Sequence, residues 1–161
     1  MTLAESAAAV AKAVQSAPVF RLIYRSHSAI PAAGFDAELG NILRKARANN
    51  TARGITGALL VYDDWFAQTL EGDEAAVRGL FNTISADKRH ASVELREEGM
   101  APARVFSRWA MAMVSEHGTP DIPLAATATG TTEAAPRGTT ADQERILGMM
   151  RDATRGYGRG S

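Results

Sequence analysis

Two polar side chains occupy strand registers where apolar ones are expected, and burial would give both a chemical use. In WFAQTLEG, residues 65–72, the two-residue period of a strand sets Gln68 on the face of Phe66 and Leu70. A buried amide has two N–H donors and an acceptor to satisfy, and leaving one unpaired costs roughly 1–3 kcal/mol. Gln68 therefore needs partners, unless its face is open to solvent or it bonds nearby backbone. Tyr24 shares its register with Phe20 and Leu22 in VFRLIYR, residues 19–25, and a buried phenol likewise seeks a partner for its hydroxyl. Taken alone, it reads equally well as a core residue with a polar tip.

Adjacent amides extend the polar set. Phe35, Leu39, Ile42, Leu43 and Ala46 recur at three- and four-residue steps, and seven residues beyond Ile42 and Leu43 stand Asn49 and Asn50. An apolar helix stripe thus ends in two carboxamides. Asparagine commonly terminates helices, and that role alone accounts for them. Side by side they can also hydrogen-bond the carbonyl and imide edges of a flat heterocycle slid between this helix and its neighbour, with Ile42 and Ile84 as walls. Without such a ring the two isoleucines are helix-to-helix packing. Asp87-Lys88-Arg89-His90 offers charges for a cofactor's phosphate, ribose or adenine, or serves as a solvated helix cap. Trp109 and Met111 share a strand face with Met113, and both types also fill cores readily.

The sequence holds no G-x-x-x-x-G-K-[ST], G-x-S-x-G, H-E-x-x-H or G-x-G-x-x-G motif, so it offers no signature of nucleotide hydrolysis, ester cleavage, zinc chemistry or dinucleotide binding. No catalytic residue and no metal ligand is assigned.

An alternation of strands and helices over residues 18–114 must position these side chains. Strand patterns cover 19–25, 55–62, 65–70, 92–97 and 105–114, with Asp63-Asp64 as the tight turn of a hairpin. Helix patterns start near Asp36 and Asp73, each a candidate cap, and the second buries Val77, Leu80, Phe81 and Ile84. The order βαββαββ predicts an α/β (α+β) fold, a ferredoxin-like mixed sheet with both helices on one face. Residues 1–17 read as a short helical extension and 115–139, rich in Thr, Ala, Pro and Gly, as a linker or wrapping segment. Thr140 and Gln143 form a capping box ahead of Ile146, Leu147, Met150 and Ala153, which predicts an amphipathic helix within 140–161, ending in a frayed RGYGRGS tail.

Lys+Arg and Asp+Glu both number 18 among 161 residues. A chain without net charge has no general attraction for a polyanion, so nucleic acid is not the expected partner. Cysteine is absent, which rules out a disulfide framework and suits a cytoplasmic setting. No apolar run approaches the roughly 20 residues that cross a bilayer, and the N-terminal segment lacks the basic start of an export signal.

Five blocks, LIYRS (22–26), ARANNTARGITGALLVY (46–62), WFAQTLEG (65–72), DKRH (87–90) and RVFSRWAM (104–111), together closely resemble the BLUF family, blue-light sensors using FAD. The resemblance implies FAD, or another flavin such as FMN, between the two helices with its ring toward the central strands. Tyr24 then matches the redox-active tyrosine, Gln68 the glutamine between phenol and flavin, and Asn50 the amide on the ring edge. Asn49 matches the neighbouring flavin-site position, and Asp87, Arg89 and His90 the segment near the cofactor's tail. Trp109 and Met111 match fifth-strand positions that relay the signal. The implied activity is a reversible, non-enzymatic switch. Light makes the flavin an oxidant, Tyr24 yields and regains an electron and a proton, and Gln68 is left rotated or tautomerised, shifting absorption to the red. A separate downstream protein and a homo-oligomer are the expected partners. The alternative is a ferredoxin-like ligand-binding or dimerisation module without photochemistry.

Overall fold

The computed structural model describes residues 18–31, 33–115, 121–127, 130–134 and 141–155. Its elements in chain order are β1 (Val19–Ser28), α1 (Phe35–Arg53), β2 (Thr56–Tyr62), β3 (Trp65–Gly72), α2 (Glu74–Ala86), β4 (His90–Ala101), β5 (Ala112–Ser115), β6 (Ile122–Thr127), β7 (Gly130–Ala134) and α3 (Ala141–Arg155). The expected N-terminal helix, and the tail beyond 155, lie outside the described residues.

The sheet runs β4-β1-β3-β2-β5-β6-β7. β3 sits between β1 and β2 and is antiparallel to both, β4 is antiparallel to β1, and β5 joins β2 in parallel. The βαββαββ ferredoxin-like order is therefore present with its added fifth strand, and β6 and β7 form within the segment expected to be linker.

Local chemistry explains the boundaries. Gly34, at φ 82, opens α1 without a side-chain cap, so the expected cap Asp36 instead lies in the first turn, where its charge complements the helix dipole. α1 stops at Gly54, whose φ of 68 turns its N–H back onto the Asn50 and Thr51 carbonyls. Asp63, at φ 53, makes the β2–β3 turn. Asp73 caps α2 as expected, accepting from the Ala76 N–H at 3.2 Å.

Both faces of the sheet are covered. Phe20, Leu22 and Tyr24 of β1, with Leu59, Phe66 and Leu70, pack against Leu39 and Leu43 of α1 and Val77 of α2. On the opposite face Ile23, Ala58, Leu60, Ala67 and Val114 pack against Ile146, Leu147 and Met150 of α3. The alternation of β1 thus feeds two separate cores.

The strand expected over 105–114 is corrected: only its end, β5, is strand. Side chains and one distant backbone N–H occupy the backbone groups that a ladder would need. Val105 and Phe106 donate to the Glu71 carboxylate at 2.9 and 2.6 Å, and the Val105 carbonyl accepts from Gln143 at 2.9 Å. The Trp109 carbonyl accepts from the Gly57 N–H at 3.2 Å. Residues 104–111 instead form a crossover in which Phe106 and Trp109 join the α3-side core while Met111 joins the α1/α2-side core. Gln143, expected in a capping box, reaches this crossover, and Thr140 lies outside the described residues.

Candidate functional site

A cleft of about 150 Å³ opens between α1 and α2 with the sheet as its floor. Its walls are Ile42 and Ala46 of α1 and Leu80 and Ile84 of α2, and its floor includes Leu59 and Phe66. Apolar side chains on opposing helices give it the character of a slot for a flat ring. Asn49, Asn50, Gln68, Asp87, Arg89, His90 and Met111 supply its polar and soft groups.

Register places the central pair. Tyr24 and Gln68 are direct cross-strand partners in the β1–β3 ladder, so their side chains share the α1/α2 face. The fully buried Tyr24 Oη donates to Gln68 Oε1, and Gln68 Nε2 donates to Met111 Sδ at 3.3 Å. Gln68 lines the cleft while Tyr24 stands behind it, so the amide lies between phenol and cavity. Burial pushes the Tyr24 phenol far above its usual pKa, with the Asp87 charge adding to the effect. It is a neutral hydroxyl at every physiological pH.

The two asparagines separate. Successive helix residues are about 100° apart, so Asn50 turns fully inward while Asn49 stays exposed at the cleft mouth. Asn50 Nδ2 donates to the Ala110 carbonyl at 2.8 Å, which leaves Oδ1 buried without a partner. A buried acceptor in that state is costly, and an imide N–H entering the cleft would satisfy it. The residues therefore fit a flavin: apolar walls for the ring, an orphaned acceptor for its imide and a carboxamide on the floor.

The charged corner differs from a simple anion site. Arg89 donates to both Asp87 oxygens and to Glu38 at 2.9 Å, tying the exit of α2 to α1. Hydrogen bonding from Arg89 holds the Asp87 carboxyl down at about 2 against the opposing effect of burial. His90 bonds Ser26 Oγ at 2.8 Å through Nδ1 and lies near the Tyr24 and Phe66 rings. Burial lowers its pKa; Asp87 opposes that and Arg89 reinforces it.

The structure brings Tyr24, Ile42, Asn49, Asn50, Gln68, Ile84, Asp87, Arg89, His90 and Met111 to one cleft or its rear wall. Trp109 is apart, half-buried against the α3-side core with Arg108 4.9 Å above its ring. Lys45 and Thr83 also line the cleft. Neither was singled out in the sequence, where the three-residue step from Ile42 is the signal that would have marked Lys45.

A family model described as sensors of blue light using FAD matches residues 19–112. The chain is 44% identical over 72 residues to the photoactivated adenylate cyclase subunit alpha of Euglena gracilis, covering 45% of this chain and 7% of that protein. It thus spans a small part of those cyclases. BlsA in its photo-activated state superposes with a TM-score of 0.58 at 33% identity, over 59% of this chain and 68% of BlsA. BlrB in its dark state gives 0.56 at 35% identity, over 61% and 73% of the two chains.

Proposed function

The chain belongs to the BLUF family of blue-light sensors, and on that premise we propose that its switch is the Tyr24–Gln68 pair acting beside FAD held between α1 and α2. The observation that carries this reading is the hydrogen bond from the buried Tyr24 Oη to Gln68 Oε1 at the floor of the cleft. Ile42 and Ile84 would sandwich the ring, Asn50 would accept from its imide with Asn49 at the neighbouring position, and Asp87, Arg89 and His90 would border the tail. The cofactor supplies blue-light absorption and, once excited, a one-electron oxidant.

Tyr24 is suited to the donor's part because its proton is held on a short path to a neighbouring amide and its charge state is fixed by burial. Gln68 has chemically unlike ends. With Oε1 toward Tyr24, Nε2 donates to the Met111 sulfur. Rotation turns Oε1 toward the sulfur, and tautomerisation leaves the nitrogen as an imine with a single N–H, so either change weakens the bond that orients the buried Met111 side chain. Met111 ends the crossover that carries Trp109, and the altered packing passes by that route to the opposite core and a separate protein. Two packings separated by a few kcal/mol suffice for such a switch. FMN in place of FAD, and a homo-oligomer, are compatible with this reading.

Blue-light difference spectroscopy on the purified, flavin-loaded protein tests it. The expected result is a small red shift that decays in darkness. A protein that takes up no flavin, or whose spectrum light leaves unmoved, overturns the proposal.

A further inference from the structure

Glu71 belongs to the WFAQTLEG block yet has no part in the cleft. Its carboxylate is fully buried on the α3 face of β3. Oε1 accepts from Phe106 N at 2.6 Å and Thr56 Oγ1 at 3.0 Å, and Oε2 from Val105 N at 2.9 Å and from Arg21 Nη2 at 3.3 Å. Each oxygen therefore holds one backbone N–H of the crossover's first end. The far end is held differently, by the neutral Asn50 amide on the Ala110 carbonyl and by a charged but 45% exposed Arg47 on the Met111 carbonyl, where solvent screens the charge. Charge-assisted bonds to a buried carboxylate are about twice as strong as neutral ones, so the two ends of the segment are unequally anchored.

We infer that Glu71 is a positioning residue of the photoswitch: its carboxylate pins the first end of the 104–111 crossover and thereby sets how the far end presents Met111 to Gln68. The inference rests on the proposed Tyr24–Gln68 switch and adds to it a fixed pivot. When the Gln68 amide turns, displacement is confined to the Met111 end, and Trp109 is levered across the α3-side core instead of the whole segment sliding.

Glu71→Gln is nearly isosteric, but one oxygen becomes an NH2 group. Either orientation then sets a donor against a backbone N–H, because both oxygens hold one. Amide hydrogen exchange at Val105 and Phe106, and the dark-recovery rate after a blue flash, are measured in wild type, E71Q and R21M. The E71Q protein is expected to bind flavin and form the red-shifted state, with exchange at both amides and dark recovery each altered roughly tenfold or more. R21M, which keeps both Glu71 backbone bonds while losing the Arg21 bonds to Glu71 and to the Ala103 carbonyl just before the crossover, is expected to lower Tm while both readouts stay within about twofold of wild type. If E71Q does not fold, T56V, which removes one donor to Oε1 together with the Arg104 bond to that hydroxyl at the same end of the crossover, is expected to move both readouts in the same direction. Exchange and recovery at wild-type values in whichever of E71Q and T56V folds, or an R21M change as large as that variant's, overturn the inference. A wild-type protein without a red shift defeats the underlying switch reading instead.

Discussion

A phenol that is to give up an electron and a proton together must remain protonated until the moment it acts, and burial of Tyr24 enforces this. Tyr24→Phe and Gln68→Leu are each expected to retain flavin but lose the reversible red shift in blue-light difference spectra, since neither leaves a phenol and an amide in hydrogen-bond contact. Asn50→Ala removes the orphaned acceptor and the bond to Ala110. Loss of one such bond is worth roughly 1–3 kcal/mol, so flavin titration should show affinity weakened about 5- to 150-fold. The acid side of the stability curve involves His90 and Asp87, whose pKa values are both depressed in the fold from 6.5 and 3.8. The unfolded chain protonates first at each, so their contribution is present at neutral pH and is lost from 6.5 downward for His90 and between 3.8 and about 2 for Asp87. His90→Asn should flatten the part of the Tm decline just below pH 6.5, as scanning calorimetry across pH would show. At this scale the period marked Tyr24, Gln68 and Asn50 as polar groups in apolar stripes but left core packing and helix termination open for them, and only the five-block resemblance gave them roles. The employment of Arg89 was not, because its partner Glu38 lies 51 residues away.

Strands and helices with strong periodic patterns appeared where their patterns put them, whereas the crossover did not. Residues 105–111 alternate like a strand, yet Glu71, Gln143, Gly57, Asn50 and Arg47 each take a backbone group from it. Five distant residues thus override local preference, and no window of adjacent residues contains them. Gly57 is one case where the residue type is dictated by space, for a Cβ there would stand 2.0 Å from the Thr69 carbonyl oxygen. Gly57→Ala must push β2 away from β3 or from the crossover. A cost of about 1–3 kcal/mol follows, lowering Tm by something on the order of 3–10 °C in a thermal melt. Met111→Ala acts in the opposite sense on the element, leaving its anchors but removing its contact with Gln68. In a Trp65→Phe background the red shift is expected to persist while the light-dependent change in Trp109 fluorescence is lost.

The whole molecule is a sheet with unlike contents on its two sides, the cleft under α1 and α2 and the aliphatic core under α3. Among the described residues no helix is long and apolar enough to cross a membrane. Leu147→Ala empties part of the α3-side core and should cost about 2–5 kcal/mol in chemical denaturation, with flavin bound per folded molecule unchanged because the cleft lies beyond the sheet. The alternation of β1 gives this arrangement a further consequence. Tyr24 addresses the cleft, while its neighbour Arg25 reaches the other way to the Ala153 carbonyl at the end of α3, at 2.9 Å. The strand behaves as a bulkhead between two compartments, and on the proposed switch reading colour is set on the cleft side while the change in packing is delivered on the α3 side. Such a plan lets the α3 side be rebuilt, by selection or by an engineer, without retuning the wavelength on the far side of the wall.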